Sequence, residues 1–229
     1  MAMCLSSPDD NLTLKIQMLD INMTARRFLP ISSIALQHEK RFLSGGGFIL
    51  PFTCTSIRHR TLHSGILSTT IPAIFSGDLP YHFLVGIQSN EQLSLLSHNP
   101  YIFKPHGLKK YSISKNGVNI PQDGVPIGGS DGSFLRSYTR FVEHTGGRIF
   151  ESAHDITPDE FIEKSFFISY DLTPCLCMGS HGHQSETGVI DLNLTFENPT
   201  SYPLTLVILG CFESVVTISK DDVVMNYTT

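Results

Sequence analysis

TGVIDLNLTF, at residues 187–196, is the stretch that decides the fold of this chain. One side of this segment, if it is extended, carries only apolar residues: Ile190, Leu192, Leu194 and Phe196. Polar residues occupy most of the intervening positions, and such alternation predicts a β-strand with one buried face. The next five residues, ENPTS at 197–201, predict a turn or a short loop.

A second strand segment follows this turn at residues 202–219, and it is apolar on both faces from Leu204 to Leu209. A strand of this kind must be covered on both sides or lie centrally in a sandwich. The two segments together predict a β-hairpin that needs a second sheet to pack against.

Length and composition indicate a globular chain of ordinary charge. The 229 residues include 41% hydrophobic and 16% charged residues, enough for one domain with a sizeable core. The net charge of −5 argues against direct nucleic-acid binding. Five scattered cysteines form no disulfide framework, and we expect neither a secretory signal nor a membrane span.

Further strands are predicted along the rest of the chain. Asn116-Gly117 predicts a tight turn between two short strands within residues 109–119. Other segments with strand character are residues 12–21, 48–57, 65–75, 81–88 and 166–172. Residues 26–38 are interpreted as irregular or as an edge strand, and residues 122–132 as a loop.

Two short helices are predicted in the connections. Phe134, Tyr138, Phe141 and Val142 recur at helical spacing before Gly146-Gly147. Thr157, Pro158 and Glu160 together predict a capping box that begins a helix ending near Lys164.

About eight strands and two short helices predict an all-β, antiparallel, eight-stranded jelly-roll sandwich with the helices in the connections. Periodicity alone does not separate a jelly roll from another Greek-key sandwich. We expect a single domain over residues 1–229, with a flexible N-terminus at 1–10 and a C-terminal tail at 220–229 that contacts a neighbour.

Five candidate metal ligands are concentrated at residues 175–186: Cys175, Cys177, His181, His183 and Glu186. The two histidines and the glutamate resemble the metal motif of cupins, but the spacing is shorter and no histidine follows His183. A Cys-x-Cys pair is also a poor spacing for structural zinc. We therefore expect a solvated loop with no metal or cofactor, and the alternative that Cys175, Cys177, His181 and His183 bind a metal stays open.

Several short motifs resemble, in their order and spacing, the jelly-roll capsid proteins of Polinton/Maverick elements and adintovirus-type viruses. The resemblance covers roughly residues 26–224. His98 and Tyr101 depart from the lysine and phenylalanine expected there. The motifs are GDLP (77–80), HNPYIF (98–103), NGVNIP (116–121), FLRSY (134–138), DIT (155–157), YDLTP (170–174), DLNLTF (191–196) and the strand at 203–213.

The resemblance implies a structural virion protein without catalysis, similar to the C-terminal half of a double-jelly-roll major capsid protein. A fragment, a single-jelly-roll minor protein and a domesticated gene remain alternatives, as do a cupin-like enzyme and a lectin-like binding module. We expect self-association as a trimer or pentamer, binding to other capsid subunits, and assembly inside the host cell (cytoplasm or nucleus), without secretion. The possible subunit contacts are Phe134, Tyr138, Phe141 and Phe150.

Overall fold

A computed structural model describes residues 17–94, 99–127, 134–147, 155–177, 183–219 and 223–226 of the chain. These residues divide into two compact units. The first lies within Thr53–Glu213, and the second lies within Asn11–Phe52 and Ser214–Tyr227. That residues 1–229 form a single domain stays a prediction, and the expected flexible N-terminus (1–10) lies outside the described residues.

The described part of the chain contains nine strands and four α-helices, instead of the eight strands and two helices predicted. The helices are α1 (Ser32–Leu43), α2 (Asn90–Ser94), α3 (Phe134–Val142) and α4 (Pro158–Lys164). The chain leaves helical geometry after α3, because Thr145 and Gly146 have non-helical backbone angles. The strands are β1 (Phe48–Leu62), β2 (Ser68–Asp78), β3 (His82–Ser89), β4 (Leu108–Lys115), β5 (Val118–Pro126), β6 (Phe167–Asp171), β7 (Thr187–Phe196), β8 (Leu204–Ile218) and β9 (Val223–Asn226).

Strand order establishes the jelly roll. The first sheet has the order β1-β8-β3-β6, with β9 paired to β8, and the second sheet has the order β2-β7-β4-β5. The chain thus changes sheet at every connection among the first eight strands except β4–β5. This interleaving of two Greek keys is the jelly-roll connectivity, so the predicted fold class is confirmed. Of the described helices, none is long and apolar enough to cross a membrane.

The core of the first unit lies between the inner faces of the two sheets. The predicted alternation in β7 is confirmed, because Ile190, Leu192 and Leu194 are fully buried while the residues between them are half-buried. Aromatic rings join the sheets: Phe83 of β3 lies 5.5 Å from Phe75 of β2 between ring centroids. Burial of these apolar side chains is the main source of stability for such a sandwich.

The predicted C-terminal hairpin is wrong. β7 pairs with β2 and β4 in the second sheet, whereas β8 pairs with β3 in the first sheet. The segment between them therefore crosses from one sheet to the other. Both strands bury one face in the same core. The apolar residues in their sequences therefore follow the same pattern as those of two strands paired in a hairpin. The central position predicted for β8 is confirmed, because it lies between β1 and β3.

Three other predictions need correction. Residues 26–38 were predicted to be irregular or an edge strand; residues 26–31 have no secondary structure, but residues 32–43 form α1, which buries no residue. Residues 17–21 are not in a strand, although they belong to a predicted one; alternation without a partner strand leaves the backbone hydrogen bonds unmade. Residues 122–126 continue β5 instead of forming a loop, and Pro121 is tolerated because β5 is an edge strand.

The predicted tight turn and the predicted helix at 134–142 are confirmed. Asn116 and Gly117 have positive φ angles of 52° and 83°, and they join β4 to β5 with Lys115 opposite Val118. Two consecutive positive φ angles define the type I′ turn, which matches the twist of the strands that it connects.

Alanine in place of Thr157 is expected to lower the free energy of unfolding by about 1 kcal/mol, because the first turn of α4 loses its capping box. The hydroxyl of Thr157 accepts a hydrogen bond from the backbone nitrogen of Glu160 at 3.3 Å, and the Glu160 carboxylate accepts one in return from the backbone nitrogen of Thr157. Urea denaturation measures the change. Thr139→Ala, on the exposed face of α3, is the matched control and should change stability by less than about 0.5 kcal/mol.

The second unit consists of α1, the start of β1, the end of β8, and β9. Phe48 contacts Phe42 of α1 edge-to-face at 5.1 Å, and the Arg41 guanidinium lies 5.0 Å above the Phe48 ring. Arg41 also donates a hydrogen bond to the carbonyl of Gly47 at 3.0 Å. Of the predicted tail at 220–229, residues 223–226 form β9, which pairs with β8, and the other residues lie outside the described part.

Candidate metal centre

The loop that follows β6 places two cysteines side by side. Asp171, the last residue of β6, accepts hydrogen bonds at its Oδ1 from the backbone nitrogen and the hydroxyl of Thr173, at 2.9 and 2.6 Å. The Thr173 hydroxyl accepts in turn from the backbone nitrogen of Cys177 at 2.9 Å. These local bonds are typical of Asp and Thr in turns, and they fold the loop back on itself.

Leu176, between the two cysteines, has a positive φ of 54°. A left-handed residue reverses the chain within one step, so that Cys175 and Cys177 turn their thiols toward a common point. The expectation that a single intervening residue is too short for shared ligation assumes ordinary backbone angles. That assumption does not hold at Leu176.

His183 completes a cluster with these two thiols. Its Nε2 lies 3.1 Å from the Sγ of Cys175 and 3.5 Å from the Sγ of Cys177. All three ligand atoms lie within 4.8 Å of one another. Cys177 is buried, Cys175 is exposed, and the His183 side chain is 17% exposed. Two thiols and an imidazole within this distance are a ligand set for zinc or another soft metal.

Glu213 of β8 holds His183 in place. Both of its carboxylate oxygens accept hydrogen bonds from the backbone nitrogen of His183 at 3.2 Å. Its Oε1 also lies 3.8 Å from the Nδ1 of the imidazole. The side of the ring opposite to the thiols therefore faces a carboxylate, so Nε2 is directed at the cysteines.

The neighbouring thiol perturbs the titration of Cys175. The hydrogen bond with Cys177 is the main cause that raises the pKa of the Cys175 thiol above its ordinary value, and partial desolvation acts in the same direction. The proximity of a second thiol also favours the neutral form, because two thiolates in contact would repel each other.

A cleft of about 420 Å³ opens beside the cluster and shares His183 and Glu213 with it. The remaining lining residues come from the segment before β3, the loop after β6, the segment before β7, and β8: Leu79, Pro80, Tyr81, Leu172, Thr173, Pro174, Gln184, Ser185, Glu186 and Phe212.

The candidate ligands named from the sequence have different outcomes. Cys175, Cys177 and His183 come together. Glu186 forms an ion pair with Lys115 and does not belong to this cluster, and His181 lies outside the described residues. His183 thus faces two thiols in place of the glutamate that a cupin motif requires.

Glu213 was not predicted from the sequence. It is the one charged residue in the sequence of β8, LTLVILGCFESVVTI. A carboxylate within an otherwise uncharged and mostly apolar strand is a signal for a specific partner, because burying an unpaired charge is costly.

Three of the four predicted subunit-contact residues lie on α3. Phe141 is only 4% exposed and packs against Phe161 at 5.1 Å between ring centroids, so it has almost no surface left for a neighbouring subunit. Phe134 and Tyr138 are half-buried against the core, and the Tyr138 hydroxyl donates to the carbonyl of Ile156 at 2.9 Å. Phe150 lies outside the described residues. That these side chains contact another subunit stays a prediction.

Fold and site together define a jelly-roll sandwich with a Cys-Cys-His cluster at the rim of a cleft. No protein-family model matches the chain, and no curated protein matches it. Among solved structures, it is similar to a chain in the 3.5 Å cryo-EM structure of the Sputnik virophage, with 11% identity and a TM-score of 0.49. That match covers 79% of this chain and 39% of the solved one.

Two further structures are similar at 9% identity. The crystal structure of PBCV-1 VP54, fitted into a reconstruction of the Sputnik virophage, has a TM-score of 0.42, and the match covers 84% of this chain and 54% of the solved one. The quasi-atomic model of the PBCV-1 virus capsid has a TM-score of 0.39, with coverages of 85% and 55%. The aligned part of this chain thus corresponds to between about two fifths and just over half of each solved chain.

Proposed function

We propose that this chain is a structural subunit of a capsid-like shell of the Polinton/Maverick and adintovirus type. It assembles with copies of itself, as a trimer or pentamer, and with other capsid subunits. In this proposal the chain performs no catalysis, does not contact nucleic acid directly, and belongs to a virion assembled inside the host cell.

One observation carries the proposal of assembly: an apolar segment without secondary structure at residues 17–31. Leu19, Met23, Phe28 and Leu29 are between 80% and 97% exposed. Contiguous exposed apolar side chains mark interaction surfaces in soluble proteins. A segment of this kind suits exchange between copies of one chain.

Three of the motifs behind the capsid resemblance support the proposal, because they lie at junctions of the jelly roll. The backbone nitrogen of Leu172, in YDLTP, donates to the carbonyl of Tyr81, which follows GDLP, at 2.8 Å. Phe103, at the end of HNPYIF, packs against Phe167 of β6 at 4.6 Å between ring centroids. It also covers Gly86 of β3 so closely that a Cβ there would overlap its ring. The motif residues thus specify how the strands meet.

Serine substitutions in the exposed segment are expected to weaken self-association at least about tenfold, because each large apolar side chain contributes about 1.5–3 kcal/mol when it is buried. Light scattering across a concentration series, together with negative-stain microscopy, measures the assembly. The test variant carries Leu19→Ser, Met23→Ser, Phe28→Ser and Leu29→Ser.

A control variant carries Leu67→Ser and Tyr101→Ser, which replace exposed apolar side chains in the first unit. It should assemble like the unaltered chain. The proposal fails if the unaltered chain is a monomer at every concentration at which it stays soluble, or if the test variant assembles equally well.

A further inference from the structure

We propose that Cys175, Cys177 and His183 bind one zinc ion, with Glu213 orienting the imidazole. The ligand atoms are the two Sγ atoms and the Nε2 of His183. Because these residues lie in the loop after β6 and in the segment before β7, the ion links two strands that belong to different sheets.

The distances agree with tetrahedral zinc. With bonds of about 2.3 Å to sulfur and about 2.0–2.1 Å to nitrogen, the sulfur and nitrogen ligands of one zinc lie roughly 3.5 Å apart. The Cys177–His183 separation is 3.5 Å, and the Cys175–His183 separation is 3.1 Å. Cys175 must therefore move outward by a few tenths of an ångström, and its exposed side chain leaves room for that movement.

The surroundings of His183 are those of a metal ligand. A histidine that binds a metal through one ring nitrogen usually directs the other toward a carboxylate or carbonyl, which fixes the tautomer. Here the Nδ1 faces Glu213 Oε1 at 3.8 Å, and the backbone of the same histidine is already held by both oxygens of that carboxylate. The 3.8 Å separation is longer than a hydrogen bond, so a small rotation of the imidazole or of the carboxylate is needed before Glu213 fixes the tautomer.

Ligand chemistry selects the ion. Thiolates and imidazole favour zinc over magnesium or calcium, which prefer oxygen ligands. Three protein ligands leave a fourth position for a water molecule, and the exposure of Cys175 gives solvent access to the cluster. The zinc site does not depend on the capsid proposal, since it rests on these contacts alone.

The test uses the full chain, stripped with a chelator and kept reduced with a phosphine. Cobalt(II) titration shows whether the site exists, because tetrahedral thiolate-bound cobalt has intense visible bands and sulfur-to-cobalt charge transfer in the near ultraviolet. Zinc should then displace the cobalt at one equivalent per chain. Elemental analysis of the dialysed zinc form gives an independent stoichiometry.

Variants separate the site from other thiols. Cys175→Ser, Cys177→Ser and His183→Gln should each abolish the cobalt bands or shift them with loss of the one-to-one stoichiometry. Glu213→Gln should weaken zinc binding about 10–100-fold, as replacement of a residue that orients a metal-binding histidine usually does. Cys54→Ser and Cys211→Ser remove thiols outside the cluster and should bind zinc like the unaltered chain.

Circular dichroism and thermal unfolding of each apo variant show whether it folds. Cys175 is exposed, so Cys175→Ser keeps the test valid even if the buried Cys177 proves necessary for folding. The proposal is overturned if the reduced, unaltered chain binds no cobalt at one equivalent, or if folded Cys175→Ser and His183→Gln keep unchanged bands and stoichiometry.

Discussion

Replacing Phe83 by alanine is expected to lower the free energy of unfolding by about 4 kcal/mol. The side chain is fully buried on β3 at the centre of the sandwich. It stacks on Tyr170 of β6 at 5.3 Å between ring centroids, and it contacts Phe75 of β2 in the opposite sheet. Its removal leaves a cavity bordered by large rings, which cannot close without moving both sheets.

The packing around Phe83 also depends on a glycine in the neighbouring strand. It lies opposite Gly210 of β8, and a Cβ at Gly210 would come within 2.6 Å of the Phe75 ring. The rings therefore fill the volume that glycine leaves open. Gly210→Ala is expected to destabilise the chain as well, by about 1–3 kcal/mol, through overpacking instead of a cavity.

Chemical denaturation measures the effect of Phe83→Ala, with Phe83→Leu as the volume-retaining comparison. Tyr101→Ala is the control for loss of an exposed aromatic ring, because Tyr101 is 65% exposed, and it should cost less than about 0.5 kcal/mol. A loss below about 1 kcal/mol for Phe83→Ala would show that the two sheets do not pack around this ring.

Acid is expected to destabilise the fold through His82. Burial of this side chain, which is 5% exposed, lowers its pKa from 6.5 to about 4, and the nearby Asp171 only partly opposes that effect. Within the described residues, its buried Nε2 has no hydrogen-bond partner. The charge of His144 lowers the pKa of His82 further, whereas a hydrogen bond with the His144 backbone acts in the opposite direction.

The direction of the pH effect on stability follows from the number of protons that the folded and the unfolded chain bind. Between pH 6.5 and 4 the unfolded chain protonates this histidine while the folded chain does not, so stability falls as the pH falls. Relative to a pH well above 6.5, the buried His82 lowers the free energy of unfolding by about 2 kcal/mol at pH 5 and by about 3 kcal/mol at pH 4. Burial also lowers the pKa of His144 and of His106, and both act in the same direction.

Denaturant unfolding at pH 7 and pH 4.5 compares the unaltered chain with His82→Gln. The variant should lose roughly 2–3 kcal/mol less on acidification, because glutamine does not titrate. His59→Gln, on the exposed face of β1, should keep the full acid sensitivity. If His82→Gln and the unaltered chain lose the same stability between pH 7 and pH 4.5, the loss comes from groups other than His82.

Local signals in the sequence predict local structure well. The capping box of α4 depends on Thr157, Pro158 and Glu160, which are adjacent in sequence and need no tertiary partner. The Asn116-Gly117 turn is equally local, because it depends on two residues that tolerate positive φ. In contrast, α1 buries no side chain, so its sequence has no periodic signal despite good helix formers.

The metal cluster shows where local prediction fails. Cys175, Cys177 and His183 are visible in the sequence as ligand types, but the spacing argued against shared ligation. The left-handed Leu176 and the carboxylate of Glu213, thirty positions beyond His183, bring the ligands together. Neither feature can be derived from the residues at 175–186 alone.

The sequence by itself determined which residues of β7 face the core, since a period of two depends only on the alternation of side chains along an extended backbone. It also determined that β8 must lie inside a sheet, because nearly continuous apolar residues need cover. Only the tertiary structure decided that these consecutive strands belong to opposite sheets. Pairing depends on hydrogen bonds to distant strands, β2 and β4 for one and β3 for the other, and an alternating pattern is the same whichever partner supplies them.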